Sequence, residues 1–216
     1  MNKLKNSTKK VEEEEDKYSA AFTATALLFT EVQNIKQILL ADDFEQLIEQ
    51  EVKNNDLLGI KTEAARRRVT QEIRKRNGFT PKEFWSTFLN LNETEQRLAL
   101  FYLCLKTYPL VMDFHIEVAL KKWKSKALVI DNFDLQMRLD EIASTDEVVM
   151  NWTEKTQMKV ITVYKRMLKE AGLLKKTELT KPKNISTDFW NYFVEIGDDW
   201  FVEACFYNKK KIFNLD

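Results

Sequence analysis

One predicted helix carries a line of side chains that could bind phosphate groups. At 100° per residue, five polar residues fall on one side of the helix that follows Thr153, and apolar residues fall on the other. Cations at helical spacing can meet successive phosphates, release counterions and let a helix enter the major groove of DNA. An ordinary solvated helix face fits the same pattern. The five residues, called the cationic stripe below, are Lys155, Lys159, Thr162, Arg166 and Lys169.

The segment after this helix has the length and polarity of a small hairpin. The helix is expected to stop at Gly172, and residues 173–180 then predict a β wing. Lys175 and Lys176 would lie on this wing, with Lys181 and Lys183 on or beside it. A short helix, a turn, the long helix and a wing together predict a winged helix-turn-helix, which is a DNA-binding arrangement.

A second basic segment occupies residues 61–78, which contain seven basic residues and only two acidic ones, Glu63 and Glu72. Arginine density favours phosphate binding, so Arg66, Arg67 and Arg74 are further candidates for DNA contacts. The alternative is that these arginines pair with the acidic segment at residues 42–56 of the same chain.

Residue types that usually perform catalysis are scarce. His115 is the only histidine and stands between Phe114 and Ile116, which favours a core position over a general base. Cys104 and Cys205 lie in apolar surroundings, and two cysteines with one histidine are too few ligands for a structural zinc site. Glycine-rich phosphate loops and nucleophile elbows are absent from the sequence. We therefore expect no enzyme, cofactor, metal or small-molecule substrate, although scattered carboxylates leave metal-dependent nuclease chemistry open.

The composition predicts an all-α fold with at most a short β wing. Four glycines and three prolines are too few turn residues for many short strands, and 44% hydrophobic content can form a core. The formal net charge is zero, so overall charge indicates no partner. The acidic residues 12–16 precede the first apolar stretch, and no apolar stretch is long enough to span a bilayer, so the expectation is a cytoplasmic protein without a membrane partner.

Polarity and periodicity divide the chain into three parts: a disordered tail over residues 1–17, an N-terminal helical domain over residues 18–126, and a helix-turn-helix-like domain over residues 127–216. Helical spacing predicts one helix over residues 23–41 and another containing Phe44 and Val52. Predicted helix starts are Thr62, a capping box with proline at residues 80–83, a start at residues 92–95, Pro109, Asn132 and Thr153.

The C-terminal segment combines acidic charge with aromatic residues. Residues 187–196 and 198–206 predict two short helices. The aromatic side chains could stack on bases or dock a protein partner, but core packing is the commoner explanation. Acidic charge makes direct nucleic-acid contact less favourable here. These aromatics are Trp190, Tyr192, Phe193, Trp200, Phe201, Phe206 and Tyr207.

Three stretches resemble one known family. They are YSAAFT at residues 18–23, NETEQRLALFYLCLKTYPLVMDFHIEVALKKW at residues 92–123, and the helix ending KRMLKEAGLL at residue 174. In order over residues 18–174, the sequence is similar to the BrxA family of bacteriophage exclusion (BREX) defence systems. The shared motifs are helix starts and core positions, and they include no active site.

The resemblance implies a small, non-enzymatic component of a phage-defence operon that binds DNA and acts beside larger BREX proteins. It also implies a helical N-terminal domain similar to NusB-type antitermination factors. The matching region places Lys155, Lys159, Arg166 and Lys169 where a DNA-binding face would be. The leading hypothesis is a double-stranded DNA-binding accessory protein held mainly by phosphate contacts. Two alternatives remain: a scaffold that joins other defence subunits, and an RNA-binding protein of the antitermination type.

Overall fold

A computed structural model describes residues 18–81 and 83–213. The tail predicted at residues 1–17 lies outside the described residues. Helices dominate the described chain, and its sheet has two short strands. The prediction of an all-α fold with a short β wing is confirmed.

The first half of the chain forms short and medium helices around one long buried helix. A 3₁₀ helix at Ala21–Ala24 precedes α1, and another at Ile38–Leu40 precedes α2. The helices are α1 (Phe29–Asn34), α2 (Phe44–Asn54), α3 (Glu63–Asn77), α4 (Phe84–Leu89) and α5 (Glu93–Thr107). α5 contributes an almost unbroken series of buried side chains, so it forms the centre of the core.

The second half contains the longest helix of the described chain and the hairpin. α6 (Pro109–Asp113) runs through a π-helical stretch, Phe114–Leu120, into α7 (Lys121–Lys124). The later elements are α8 (Asn132–Ala143), α9 (Glu147–Met150), α10 (Glu154–Glu170), β1 (Leu174–Lys175), β2 (Glu178–Leu179), α11 (Thr187–Glu195), α12 (Trp200–Ala204) and α13 (Lys209–Ile212).

Several predicted helix starts are confirmed by side-chain caps. The Thr62 hydroxyl accepts a hydrogen bond from the Ala65 amide at 3.2 Å. Asn92 and Glu95 form a reciprocal capping box at the start of α5. Thr153 caps α10 by accepting from the amide of Thr156 at 3.2 Å.

Three local predictions are wrong. Residues 23–41 form two 3₁₀ helices and the short α1 instead of one helix, because Leu28 has a left-handed φ of 62° that breaks the helical path. The helix predicted to start at residues 80–83 starts later: Glu83 has a left-handed φ of 61°, and α4 begins at Phe84. The cap of α8 is Asp131, which accepts from the Asp134 amide, whereas Asn132 is already the first helical residue.

One hydrophobic cluster includes buried residues from both sides of residue 126. α10 packs against the 3₁₀ helix Ala21–Ala24 and against α5. The parts on either side of residue 126 therefore share one core. The domain boundary predicted there stays a prediction.

The hairpin after α10 is antiparallel, with Leu174 paired to Leu179 and Lys175 to Glu178. A third segment joins its β2 side through an isolated bridge between Val129 and Glu178. The Leu179 amide donates to the Leu128 carbonyl at 2.8 Å. The segment before α8 therefore fixes the hairpin beside the end of α10.

None of the helices in residues 18–81 and 83–213 combines the length and the apolar sequence needed to cross a membrane.

Candidate nucleic-acid interface

The cationic stripe lies on the solvent side of α10. All five of its residues are exposed. The opposite side is buried, with Val160, Ile161, Tyr164 and Leu168 each fully inaccessible to solvent. Burial of this apolar face fixes the rotation of the helix, so the cations must point outward.

The cations of the stripe differ in their pairing. Within the described part of the chain, Lys155, Lys159 and Lys169 form no ion pair. Arg166 is paired: its Nε donates to Glu170 Oε1 at 2.7 Å. The lysines can therefore meet an anion without first breaking an ion pair to a described residue.

An open groove of about 500 Å³ runs along the first half of the stripe. The 3₁₀ helix Ala21–Ala24 supplies Thr23 to one wall, and α10 supplies the rest. No carboxylate is among the described residues that line it. The lining residues are Thr23, Lys155, Thr156, Met158, Lys159 and Thr162. Lysine ammonium groups and threonine hydroxyls are suitable donors to phosphate oxygens.

Lys165 is a further cation of α10 that the sequence patterning missed. Its Nζ donates to the Asn132 side-chain oxygen at 2.9 Å, so it joins α10 to the start of α8. Partial burial, with the like charge of Lys169, lowers its pKa, and Asp131 and Asp134 oppose that shift. At 100° per residue Lys165 falls 40° from Lys169, so the helical wheel could have included it.

The two predicted wing residues are both exposed. Lys175 lies in β1 opposite Glu178, and Lys176 occupies the turn with a left-handed φ of 56°. Lys181, by contrast, places its ammonium group 3.8 Å from the centre of the Tyr207 ring. The hairpin thus presents the side chains of Lys175 and Lys176 beside the end of α10.

Arg66 does not belong to an exposed basic surface, so its burial does not favour the predicted contact with DNA. It is 7% exposed. Its Nε donates to the Val52 carbonyl at 2.6 Å and its Nη1 to the Ile60 carbonyl at 2.8 Å. Its guanidinium instead ties α3 to the end of α2 and the loop that follows.

Arg67 and Arg74 are occupied by glutamates, as the alternative interpretation of this segment predicted. Arg74 donates to Glu45 at 2.7 Å and lies 3.5 Å from Glu49. Arg67 pairs with Glu63 at 2.8 Å and with Glu49 at 3.5 Å. Their positive charge is largely compensated by the acidic residues of α2 and α3.

His115 is a core residue in the π-helical stretch and is fully inaccessible to solvent. Its Nε2 lies 2.7 Å from the Ala204 carbonyl oxygen, so Nε2 carries the proton and donates. Nδ1 then accepts from the Tyr164 hydroxyl at 3.1 Å. Burial lowers the pKa of His115 to about 4, and the hydrogen bond to Ala204 opposes that shift. Cys104 and Cys205 are free thiols and are also buried.

The C-terminal aromatics pack inside the protein. Trp190, Phe193, Phe201 and Phe206 are each less than 5% exposed. Phe193 and Phe201 lie with ring centres 4.6 Å apart. Core packing is therefore the correct interpretation for these four, and they offer no stacking surface to bases.

A family model matches residues 16–196, which covers the 3₁₀ helix Ala21–Ala24, α10 and the hairpin. It is the model of the BrxA family. The chain belongs to the BrxA family. Membership connects it to BREX phage defence, as the sequence resemblance implied. The match also extends beyond Leu174, where that resemblance ended.

The fold of this BrxA-family chain is similar to a solved one. A crystal structure of an uncharacterized protein from Magnetospirillum magneticum superposes with a TM-score of 0.73 at 19% sequence identity. The likeness covers 88% of this chain and 98% of that chain. At this identity it shows the fold alone. A search of curated proteins found no match.

Proposed function

We propose that this BrxA-family chain is a non-enzymatic, double-stranded DNA-binding protein of BREX phage defence that acts in the cytoplasm beside other BREX proteins. The observation that carries the proposal is the row of exposed lysines on α10, which have no ion-pair partner in the described chain. An unpaired cation gains counterion release on meeting a phosphate without first losing an intramolecular contact.

The surroundings of α10 support a winged helix-turn-helix mode of binding. α8 and α9 precede α10, and the hairpin follows it with the Val129 segment beside β2. In such a motif the recognition helix enters the major groove. α10 would be that helix, and Lys175 and Lys176 would contact the backbone beside it.

The proposed mode depends on phosphates more than on bases. Lysine is a point charge that positions a protein on DNA, whereas arginine can read guanine through two parallel hydrogen bonds. Arg166 is the one arginine of the stripe, and its Nε is engaged by Glu170. We therefore expect weak sequence preference.

The buried state of His115 supports a role without acid–base catalysis by imidazole. Both ring nitrogens are used within the core, and the low pKa keeps the ring neutral at physiological pH. A general base must be within reach of a substrate proton, and the imidazole is fully inaccessible.

The direct test removes three charges from the stripe with Lys155→Gln, Lys159→Gln and Lys169→Gln in one variant. Affinity for a labelled duplex of arbitrary sequence would be measured by fluorescence anisotropy. Three lost phosphate contacts should weaken binding by about a hundredfold or more at low salt. Circular dichroism should be unchanged, because the three side chains are exposed.

The matched control carries Lys36→Gln, Lys53→Gln and Lys61→Gln, which removes the same charge from exposed lysines of the first three helices and their loops. Near-native affinity of this control, with loss in the stripe variant, would support the proposal. Equal affinity of both variants would refute the assignment to α10. Competition with duplex RNA would test the antitermination-type alternative, and absence of binding to both nucleic acids would favour a scaffold.

A further inference from the structure

The groove beside the cationic stripe lies close to where the described chain begins. Thr23 lines the groove, and Tyr18 is five residues earlier. Tyr18 is 6% exposed, and its hydroxyl donates to Asp113 at 3.0 Å. Arg138 holds the same carboxylate through contacts of 2.7 and 2.8 Å. The chain is therefore anchored immediately after residues 1–17.

Residues 12–16 form an uninterrupted acidic run with the sequence EEEED. It has five negative charges and ends two residues before the anchored Tyr18, with only Lys17 between. The proposed DNA binding does not involve this run. An extended run of five carboxylates has about one negative charge per 3.4 Å, which is similar to the charge per length of one DNA strand along the helix axis.

Chain length allows the acidic run to reach the stripe. A residue spans at most about 3.6 Å, so residue 12 lies within roughly 22 Å of the anchored Tyr18 and residue 16 within roughly 7 Å, and Tyr18 itself lies within roughly 18 Å of Thr23. The stripe from Lys155 to Lys169 is about 21 Å long at 1.5 Å per residue. An extended run of five residues is about 17 Å long, which is close to the length of the stripe.

Charge complementarity selects this surface. Lys155 and Lys159 line the groove without a described ion-pair partner, and no described carboxylate lines it. Arg138, which holds the carboxylate that anchors Tyr18, is already paired with Asp113 and Glu141. The stripe thus offers unused positive charge beside the segment that follows the anchor.

We propose that the acidic run at residues 12–16 docks on the cationic stripe of the same chain and competes with DNA. The competition rests on the proposed DNA binding, whereas the docking does not. A tethered segment acts at an effective concentration on the order of millimolar. If the acidic run binds the stripe with a dissociation constant of about 0.1 mM, its docking would weaken DNA binding by about tenfold at low salt. Salt would reduce the effect, because the contact is between exposed charges.

Cross-linking tests the docking without DNA. A water-soluble carbodiimide joins carboxylates to lysine amines that are in contact, and peptide mass spectrometry locates the new amide bonds. We expect bonds from residues 12–16 to Lys155, Lys159 or Lys169 in the full-length native chain. A mixture of ¹⁴N- and ¹⁵N-labelled protein separates bonds within one chain from bonds between chains. Bonds only between chains, or bonds only to other lysines, would overturn the proposal.

Affinity measurement tests the competition. One variant carries Glu12→Gln, Glu13→Gln, Glu14→Gln, Glu15→Gln and Asp16→Asn in the full-length chain. We expect it to bind a labelled 20-base-pair duplex about tenfold more tightly than the native chain at 50 mM salt.

A charge-matched control separates docking from the change in overall charge. It carries Asp42→Asn, Asp43→Asn, Asp56→Asn, Asp188→Asn and Glu195→Gln, five exposed carboxylates outside α10. Equal affinity gains in the two variants would overturn the competition. If the native chain and both variants fail to bind duplex, the DNA-binding function fails, and the cross-links still decide whether the run docks.

Discussion

The Glu170 carboxylate accepts a hydrogen bond from the Leu27 backbone amide at 3.0 Å, across 143 residues of sequence. Its other oxygen accepts from Arg166 Nε at 2.7 Å. One side chain therefore holds the end of α10 against the N-terminal segment and orients a cation of the stripe. Stability and the proposed binding surface are coupled at this residue.

Replacing Glu170 with alanine should destabilise the protein and strengthen DNA binding. The Leu27 amide would lose its acceptor, at a cost of about 1–3 kcal/mol. Removal of a negative charge beside the stripe would raise affinity for duplex. Urea unfolding and anisotropy measure the two effects. Glu170→Gln is the matched control, since its amide oxygen can still accept from Leu27 and should retain more stability. An alanine variant as stable as the native chain would contradict the role of this contact.

Acid should destabilise the fold through His115. Its pKa is about 4 in the folded chain, below the ordinary value of 6.5. Between these values the unfolded chain binds a proton that the folded chain does not, so stability is present above pH 6.5 and is lost as the pH falls toward 4. The maximum slope is about 1.4 kcal/mol per pH unit.

Urea titrations at pH 7.0, 6.0 and 5.5 measure this loss. His115→Gln removes the titrating group, and its amide can donate to the Ala204 carbonyl. We expect it to be less stable than the native chain at pH 7 and to show a flatter pH profile in this window. Parallel profiles for the two proteins would show that His115 does not carry the effect.

Arg66 and Arg67 are neighbours with different expected roles. Arg66→Ala leaves the carbonyls of Val52 and Ile60 without their buried donor, so we expect a loss of about 2–4 kcal/mol. Arg67→Ala breaks only exposed ion pairs, which solvent and salt screen, and should have a much smaller effect on stability. Thermal unfolding distinguishes the two. Equal melting temperatures would contradict the buried role of Arg66.

Asp131 and Asn132, at the start of α8, are another two neighbouring residues whose replacement should have different effects on stability. The Asp131 carboxylate accepts from the amides of Phe133 at 2.8 Å and Asp134 at 3.1 Å. We expect Asp131→Ala to cost about 1 kcal/mol. Asn132→Ala removes only the contact with Lys165 and should cost less. Chemical unfolding of both variants decides between them, and a larger loss at Asn132 would restore the sequence-based assignment of the cap.

Much of the fold could be predicted because its signals are local. The caps at Thr62, Asn92 and Thr153 depend on side chains within three residues of the helix start. The positive φ values of Leu28 and Glu83 could not be predicted. They are conformations that propensity disfavours and that surrounding tertiary contacts must impose.

Some features of the candidate site could also be predicted from the sequence, and others could not. Periodicity alone predicted an exposed stripe, since burial of the apolar face sets the rotation of α10. The spacing of four residues between Arg166 and Glu170 could also have predicted their pairing. Burial of Arg66 could not be predicted, because the carbonyls that it binds are placed by the end of α2 and by the loop between α2 and α3.

The salt dependence of binding tests the central claim most directly. The affinity of the native chain and of the Lys155, Lys159 and Lys169 glutamine variant for one labelled duplex would be measured between 50 and 250 mM salt. Each phosphate contact contributes about −0.9 to the slope of log affinity against log salt. If α10 binds DNA through these lysines, the native slope is steep and the variant's slope is shallower by about 2.7. Equal slopes, or no binding by the native chain at 50 mM salt, would contradict DNA binding through the stripe.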